Sequence, residues 1–250
     1  MTSPFDARGR VALVVGGTAG IGLATAELLV DLGATVFIAG RTEQKGVEVA
    51  SSIGATYVFA DVADTDSVDA AVSVVVERTG HLDMSVHSAG VGLNRPAEDM
   101  TDAEFAHVYD INVGGVFRCC RAAGRVMLAQ GSGAIVNIAS VSGHIINHPQ
   151  RLSAYTSSKA AVIHLTRGLA VEWGERGVRV NSVSPGYTET SMTEVSRATP
   201  GRLDLWNAAT PLGRIAQPRD IAGAIAYLLS DLSAMTTGSD IVIDGGYRLR

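Results

Sequence analysis

Short apolar runs alternate with longer amphipathic stretches along the whole chain. Residues 11–15 are apolar at every position, which is typical of a strand buried on both faces of a sheet. Similar runs rich in β-branched residues predict strands at 35–39, 56–60, 82–88, 134–139, 178–183 and 240–244. Helical patterns predict helices through 24–29 and near 64–79, 101–129, 153–175 and 217–230. Strands that alternate with helical crossovers indicate an α/β fold, so we expect one doubly wound domain over residues 1–250, with a seven-stranded parallel sheet and helices on both faces.

The segment 188–214 has no regular pattern and is rich in Thr, Ser, Met and Pro, with Trp206 in its second half. A long irregular insertion in a compact α/β protein is typically an active-site lid. We therefore predict a substrate lid at 188–214. An ordinary pair of surface helices is the alternative.

Composition and charge narrow the class of protein. Of the 250 residues, 46% are hydrophobic and 18% charged, which excludes a disordered chain. The net charge of −5 argues against a nucleic-acid partner. No apolar run approaches the roughly 20 residues of a membrane span, and residues 1–6 lack the pattern of a secretory signal. We expect a cytoplasmic protein without a nucleic-acid or membrane partner.

The histidines and cysteines do not predict a metal site. The six His show no H-E-x-x-H or Cys/His ligand spacing. The adjacent Cys119 and Cys120 fall in an apolar helical stripe, which indicates packing. That stripe (113, 117, 120, 124, 127) and a second one (162, 165, 169, 173) are each explained by core burial or by a subunit interface.

A glycine-rich turn follows the first strand directly. Gly16, Gly20 and Gly22 lie between that strand and a predicted helix. Glycines let the backbone approach a diphosphate, and the helix start offers unpaired N–H groups and a positive dipole end. The spacing G-x-x-x-G-x-G differs from the common G-x-G-x-x-G, but the strand before it and the helix after it indicate a Rossmann-type dinucleotide site.

The end of the second predicted strand bears on the choice of cofactor. An NAD site usually has an acidic residue there to bind the ribose 2′-hydroxyl. This chain has Gly40 followed by Arg41. A missing carboxylate removes the repulsion of a 2′-phosphate, and Arg41 is able to pair with that phosphate. We predict NADP as the cofactor and keep NAD as the alternative, in which Arg41 only solvates the strand end.

A phenol and an amine lie four residues apart near the start of a predicted helix. Tyr155 and Lys159 share one helix face, with Ser153 as a candidate N-cap. A phenol with a pKa near 10 needs its anion stabilised to act in proton transfer at neutral pH. An ammonium group one turn away does this, which favours a role in acid–base catalysis.

Together these motifs resemble the short-chain dehydrogenase/reductase family over nearly the whole chain. The matching pieces follow the same order: Gly16…Gly20-Ile21-Gly22, Asp61-Val62, Ala89-Gly90, Asn112-Val113, Ile135–Ser140, Tyr155…Lys159, Asn181, Pro185-Gly186…Thr190 and Asp244-Gly245-Gly246.

The resemblance implies a role for each matching position. It makes Tyr155 the general acid/base, Ser140 the group that binds the reacting oxygen, Lys159 the residue that binds the ribose and lowers the pKa of Tyr155, and Asn112 the support for a proton-relay water. The cofactor-binding set it implies, joined with the residues of the turn and strand end, is Gly16, Thr18, Gly20, Ile21, Gly22, Arg41, Asp61, Val62, Gly90, Tyr155, Lys159, Pro185, Gly186, Thr188 and Thr190.

Three departures from the family pattern stand out. Val15 replaces the usual Thr before the first glycine, and His87-Ser88 replaces the usual Asn-Asn. Ser140 and Tyr155 are also two residues further apart than is common. Ser142 is therefore a second candidate for the serine role, although Ser140 directly ends the predicted strand.

The loop 140–150 resembles that of the family's polyol and ketose members, which act on galactitol, mannitol and sorbose. The expected substrate residues are Ser142, Asn147, Gln150, Tyr187 and Trp206, since amides suit a polyhydroxy chain and the two aromatic side chains are placed to close over it or to pack in the lid. We expect an oxidoreductase acting on a secondary alcohol or ketone. A 3-oxoacyl-thioester reductase and a non-catalytic dinucleotide-binding regulator are the alternatives. The resemblance also implies a homotetramer, or at least a homodimer.

Overall fold

The apolar runs of the sequence form one parallel sheet. The computed structural model describes residues 5–250, so most of the segment 1–6 discussed above lies outside the described residues. Within them, seven strands pair in the order β3-β2-β1-β4-β5-β6-β7. Their bounds are β1 Val11–Val15, β2 Thr35–Gly40, β3 Thr56–Phe59, β4 Met84–His87, β5 Gly133–Ile138, β6 Val178–Pro185 and β7 Asp240–Ile243. The predicted seven-stranded parallel sheet is confirmed.

Helices cross between the strands and cover both faces of the sheet. In the described part of the chain they are α1 Gly20–Asp31, α2 Glu43–Ile53, α3 Thr65–Thr79, α4 Asp102–Tyr109, α5 Val116–Gln130, α6 Ser153–Trp173, α7 Ser191–Arg197, α8 Arg202–Ala209 and α9 Pro218–Leu229. None of these helices, all within residues 5–250, is long and apolar enough to cross a membrane.

The helices differ from the predicted ones in three places. No helix is predicted between β2 and β3, where α2 forms and ends at Gly54 in the left-handed conformation that favours glycine. One π-helical turn, Asp110–Gly115, divides the predicted helix 101–129 into α4 and α5. The segment 188–214 is not irregular, because it contains α7 and α8.

Two hydrophobic clusters, one on each side of the sheet, form the core. One includes side chains of α3, α5 and α6, and the other includes side chains of α1 and α9. The two apolar stripes of the sequence lie largely within the first cluster, where Cys120, Met127 and Val162 are fully buried. Gly124 of α5 leaves room for the Trp173 ring of α6. Packing within one chain therefore accounts for most of both stripes.

A buried polar network takes the place of the amide pair expected in the central strand. Asn137 donates to Thr166 through Nδ2, so its Oδ1 accepts from Nδ1 of His87 at 2.8 Å. The other ring nitrogen of His87 then accepts from the Ser85 hydroxyl at 2.9 Å. Burial lowers the pKa of His87 to about 4, so the imidazole is neutral at pH 7. A neutral imidazole with both nitrogens bonded steadies β4 just before the chain enters the site.

Candidate active site

The glycine-rich turn brings the backbone of β1 against that of β4. Gly16 has a φ of +81°, and a Cβ there would lie 2.6 Å from the amide nitrogen of Ala89. A Cβ at Gly22 would lie 2.2 Å from the Gly16 carbonyl oxygen. Helix α1 then begins at Gly20 without a side-chain cap and without an acidic residue in its first turn. The free N–H groups at the start of α1 are able to donate to a diphosphate, and the glycines let the diphosphate approach the backbone. The turn therefore suits a dinucleotide.

A cleft of about 610 Å³ opens over this turn and along the carboxyl ends of the strands. Thirteen of the fifteen predicted cofactor residues line it: Gly16, Thr18, Gly20, Ile21, Arg41, Val62, Gly90, Tyr155, Lys159, Pro185, Gly186, Thr188 and Thr190. Gly22 instead packs on Gly16. Asp61 lies between two lining residues, Ala60 and Val62, and its Oδ1 accepts from the backbone N–H of Ala63 at 3.0 Å.

The far end of the cleft is formed by the end of β2. Gly40 packs against the Thr18 side chain, and Arg41 is exposed at the cleft wall. The Tyr57 hydroxyl donates to the Gly40 carbonyl at 2.8 Å, which fixes the backbone beside Arg41. Tyr57 is a residue that the sequence patterns do not reveal, because its partner lies seventeen positions away.

The proton-transfer residues meet near the middle of the cleft. Tyr155 and Ser140 both line the cleft, and the Ser140 hydroxyl is near enough to the phenol to lower its pKa. Ser140 Oγ accepts from the Ser142 backbone N–H at 3.1 Å. Lys159 Nζ lies 5.8 Å from the centre of the Tyr155 ring, as the shared helix face predicts. Helix α6 begins at Ser153, so Leu152 occupies the N-cap position and the predicted Ser153 cap is wrong.

Asn112 lies behind this group rather than in the cleft wall. It is fully buried in the π-helical turn. Its Nδ2 donates to the Val91 carbonyl and to the Ser158 hydroxyl, and its Oδ1 accepts from the Val91 N–H. Both amide hydrogens are therefore used within the protein. The Asn112 side chain links the segment that follows β4 to α6.

Burial dominates the electrostatics of the Tyr155–Lys159 pair. Lys159 is 4% exposed and donates to the Ile138 carbonyl at 2.8 Å. Desolvation lowers the pKa of Lys159 to about 8. Desolvation also raises the pKa of Tyr155, and the bond to Ser140 opposes this rise. In the protein alone, the pKa of Tyr155 thus moves in the opposite direction to the one that the resemblance implies, and its phenol is held protonated.

All five predicted substrate residues line the cleft beside Tyr155. Four of them form what we call the amide–aromatic cluster: Asn147, Gln150, Tyr187 and Trp206. Asn147 Nδ2 donates to the Tyr187 hydroxyl at 3.1 Å, and that hydroxyl donates to Gln150 Oε1 at 2.5 Å. The Tyr187 ring stacks on Trp206 with 3.9 Å between ring centres. Trp206 comes from α8, so the segment 188–214 forms part of the wall.

Comparison with known proteins identifies the family. A family model described as Enoyl-(Acyl carrier protein) reductase matches residues 16–248. A galactitol 2-dehydrogenase of Rhizobium johnstonii is 39% identical, over 97% of this chain and 96% of the relative. An NADP-dependent mannitol dehydrogenase of Hypocrea jecorina is 35% identical, over 98% of this chain and 95% of the relative. The crystal structure of a short-chain type dehydrogenase/reductase from Mycobacterium marinum matches with a TM-score of 0.94 at 40% identity, over 98% of both chains.

This chain belongs to the short-chain dehydrogenase/reductase family. It is an enzyme of that family, and the relatives are named dehydrogenases that act on alcohols. The alternative of a non-catalytic regulator predicts a broken Ser, Tyr, Lys and Asn set. The short-chain dehydrogenase/reductase described here has Ser140, Tyr155 and Lys159 in one cleft wall and Asn112 directly behind it.

The low pKa of Lys159 has a consequence for stability. Unfolded lysine keeps its proton up to pH 10.5, whereas folded Lys159 loses it near pH 8. The unfolded chain therefore binds more protons between these values, and the free energy of unfolding should rise with pH there, by on the order of 3 kcal/mol. Lys159→Met should lack this rise. Urea unfolding at pH 7.5 and pH 10 measures it, with the exposed Lys45→Met as the matched control. An equal rise in all three proteins would contradict the assignment.

Proposed function

We propose that this enzyme transfers a hydride between NADP(H) and a secondary alcohol or ketone, with a polyol or ketose as its substrate. The observation that carries the proposal is that Ser140, Tyr155 and Lys159 line one cleft together with the amides of Asn147 and Gln150. Lys159 Nζ lies 5.8 Å from the centre of the Tyr155 ring. Names of two relatives, a galactitol and a mannitol dehydrogenase, support the same substrate class.

The cofactor is held, in this proposal, by the cleft-lining residues given above. When bound, the nicotinamide supplies or accepts the hydride. The backbone of Gly16–Ile21 binds the diphosphate at the start of α1, and the segment Pro185–Thr190 binds from the opposite wall. Lys159 hydrogen-bonds the nicotinamide ribose. Asp61 and Val62 contact the adenine, as the resemblance implies.

Tyr155 and Ser140 handle the substrate oxygen. In reduction, both hydroxyls donate to the carbonyl oxygen, where negative charge develops, and Tyr155 gives up its proton. Since burial holds the phenol protonated, the protein alone is poised to donate. Oxidation requires the phenolate, which the Lys159 ammonium stabilises. Asn112 supports the proton path by fixing Val91 and Ser158, because both of its amide hydrogens are already used.

NADP is the proposed cofactor because Gly40 leaves no carboxylate at the end of β2 and Arg41 stands beside it. A charge-assisted bond from a guanidinium to a phosphate is short and strong. The name of the NADP-dependent mannitol dehydrogenase supports this choice. NAD remains the alternative.

Two further parts of the proposal concern mobility and assembly. We propose that residues 188–214 act as a lid within a single domain, since α7 and α8 supply Met192, Thr193 and Trp206 to the cleft wall. We also propose a homo-oligomer, a tetramer or a dimer. Phe105 on α4, Phe117 on α5 and Val171 on α6 are 45%, 43% and 83% exposed in the single chain, which supports a contact at these helices.

A substrate panel tests the function. Hexitols and ketohexoses should turn over with NADP(H), whereas acetoacetyl thioesters should not, because the amide–aromatic cluster offers hydrogen bonds that an acyl chain cannot use. The change in absorbance of the reduced cofactor at about 340 nm measures turnover. Turnover of the thioester without any polyol or ketose would instead favour the 3-oxoacyl-thioester reductase.

Tyr155→Phe should reduce kcat by about 10²- to 10⁴-fold, because the general acid/base is lost. The dissociation constant for NADP should change little, since the cofactor contacts remain. Steady-state kinetics and calorimetric titration measure the two effects. Tyr227→Phe on α9, outside the cleft, is the matched control. Retention of most activity in Tyr155→Phe would remove the proposed proton route.

Arg41→Asp should lower the NADP over NAD preference in kcat/KM by about 10- to 100-fold, because a pairing cation is replaced by a repelling carboxylate. Kinetics with both cofactors measure the ratio. The exposed Arg176→Asp makes the same change in net charge away from the cleft and should leave the ratio as it is. An unaltered ratio in Arg41→Asp would mean that Arg41 does not contact the 2′-phosphate.

A further inference from the structure

Two buried polar atoms of the amide–aromatic cluster have no partner in the protein. Across residues 5–250, four buried side-chain nitrogen or oxygen atoms make no hydrogen bond, and two of these are Asn147 Oδ1 and Trp206 Nε1. Asn147 is 3% exposed and Trp206 is 1% exposed. An unsatisfied buried polar group costs about 1–3 kcal/mol and is rare in native proteins. Both residues line the substrate end of the cleft, so a ligand that binds there is the candidate partner for the two atoms.

The rest of the cluster fixes which atoms stay free. The Tyr187 hydroxyl has one hydrogen, and it is given to Gln150 Oε1. Asn147 therefore donates to the Tyr187 hydroxyl through its NH₂ group, and its side-chain carbonyl oxygen has no hydrogen-bond donor. The stacking of Trp206 on Tyr187, with 11° between the ring planes, and the edge of Tyr247 against Tyr187 hold the indole in place. The cluster thus holds one free acceptor and one free donor in fixed positions.

This pair of atoms selects the chemistry of the ligand. A hydroxyl group both donates and accepts, so two neighbouring hydroxyls satisfy both atoms. An acyl chain or an aromatic ring leaves both unpaired. A carboxylate accepts from the indole but faces Asn147 Oδ1 with lone pairs, and an ammonium group has nothing to accept with. Of these groups, only hydroxyls satisfy both atoms without a new unpaired group.

We propose that Trp206 is a specificity-determining residue. Its indole N–H donates to one substrate hydroxyl, and the neighbouring hydroxyl donates to Asn147 Oδ1. This vicinal pair lies on carbons away from the reacting one, which Ser140 and Tyr155 hold. The inference rests on the proposed function and deepens it, because it makes a diol remote from the reacting carbon a requirement for efficient turnover.

Trp206→Phe tests the donor while it keeps an aromatic ring on Tyr187. The polyol that the wild type oxidises best is compared with hexan-2-ol, which has the reacting hydroxyl but no remote ones. We expect Trp206→Phe to lower kcat/KM for the polyol by about 10- to 100-fold and to lower kcat/KM for hexan-2-ol by a much smaller factor, because hexan-2-ol has no remote hydroxyl to lose a partner. Trp173→Phe removes the other tryptophan of the chain, which lies outside the cleft, and should alter neither value.

Binding gives a second measurement that does not depend on turnover. In the Tyr155→Phe background with NADP bound, calorimetry should show a Kd for the polyol about 10- to 100-fold weaker when Trp206→Phe is added. Adding Trp173→Phe instead should leave the Kd as it was. If Trp206→Phe fails to fold, site-specific replacement of Trp206 by benzothienyl-alanine keeps the ring shape, exchanges N–H for sulfur and should give the same loss.

The outcomes separate this inference from the proposed function. Equal losses for polyol and hexan-2-ol, or no loss for either, would overturn the role of Trp206 while polyol oxidation by the wild type still supports the function. A wild type that oxidises hexan-2-ol but no polyol would overturn both. A selective loss for the polyol, in kcat/KM and in Kd, supports the inference.

Discussion

The close approach of β1 and β4 is the constraint on which the site depends. The strand order reverses between these neighbours, with β2 and β3 on one side and β5, β6 and β7 on the other. Helical connections leave such a point in opposite directions and open a crevice at the carboxyl ends of the strands. The backbones meet where Gly16 touches Ala89, and only glycine fits there. The glycine-rich turn, Ser140 and the loop 140–150 all follow the ends of strands at or beside this point.

Desolvation is the main cost of the catalytic centre. An ammonium group at 4% exposure is held by one carbonyl, that of Ile138, and no carboxylate is bonded to it in the described residues. Burial of a cation without a counter-ion is unfavourable, and it lowers the pKa of Lys159 for this reason. The same burial strengthens its electrostatic effect on a nearby anion, because the local dielectric is low. The burial of Lys159 thus lowers the stability of the fold and also lets its ammonium group stabilise a nearby phenolate.

Most of the sheet and the glycine turn could be predicted from sequence because local pattern decides them. A run such as 11–15 is apolar at each position only if both faces are covered. Helix α2 was missed because its two buried positions, Gly46 and Ala50, are small residues that give a weak apolar signal. The π-helical turn at Asn112 has no signal in a single sequence. The free oxygen of Asn147 was equally out of reach. The orientation of the Asn147 amide depends on the acceptor to which the Tyr187 hydroxyl donates, and Tyr187 lies forty positions away in the sequence.

The departures from the family pattern change the site in two different ways. His87 bonds Ser85 and Asn137 and so steadies β4. It thereby does what the asparagine usual at this place in the family pattern would do. The two extra residues between Ser140 and Tyr155 do more. They lengthen the loop that carries Asn147 and Gln150 to the Tyr187 hydroxyl, while Ser140 still reaches Tyr155. In the proposed function, the reacting oxygen is therefore bound by residues at the end of β5 and on α6, whereas the rest of the substrate is bound by the loop 140–150 and α8.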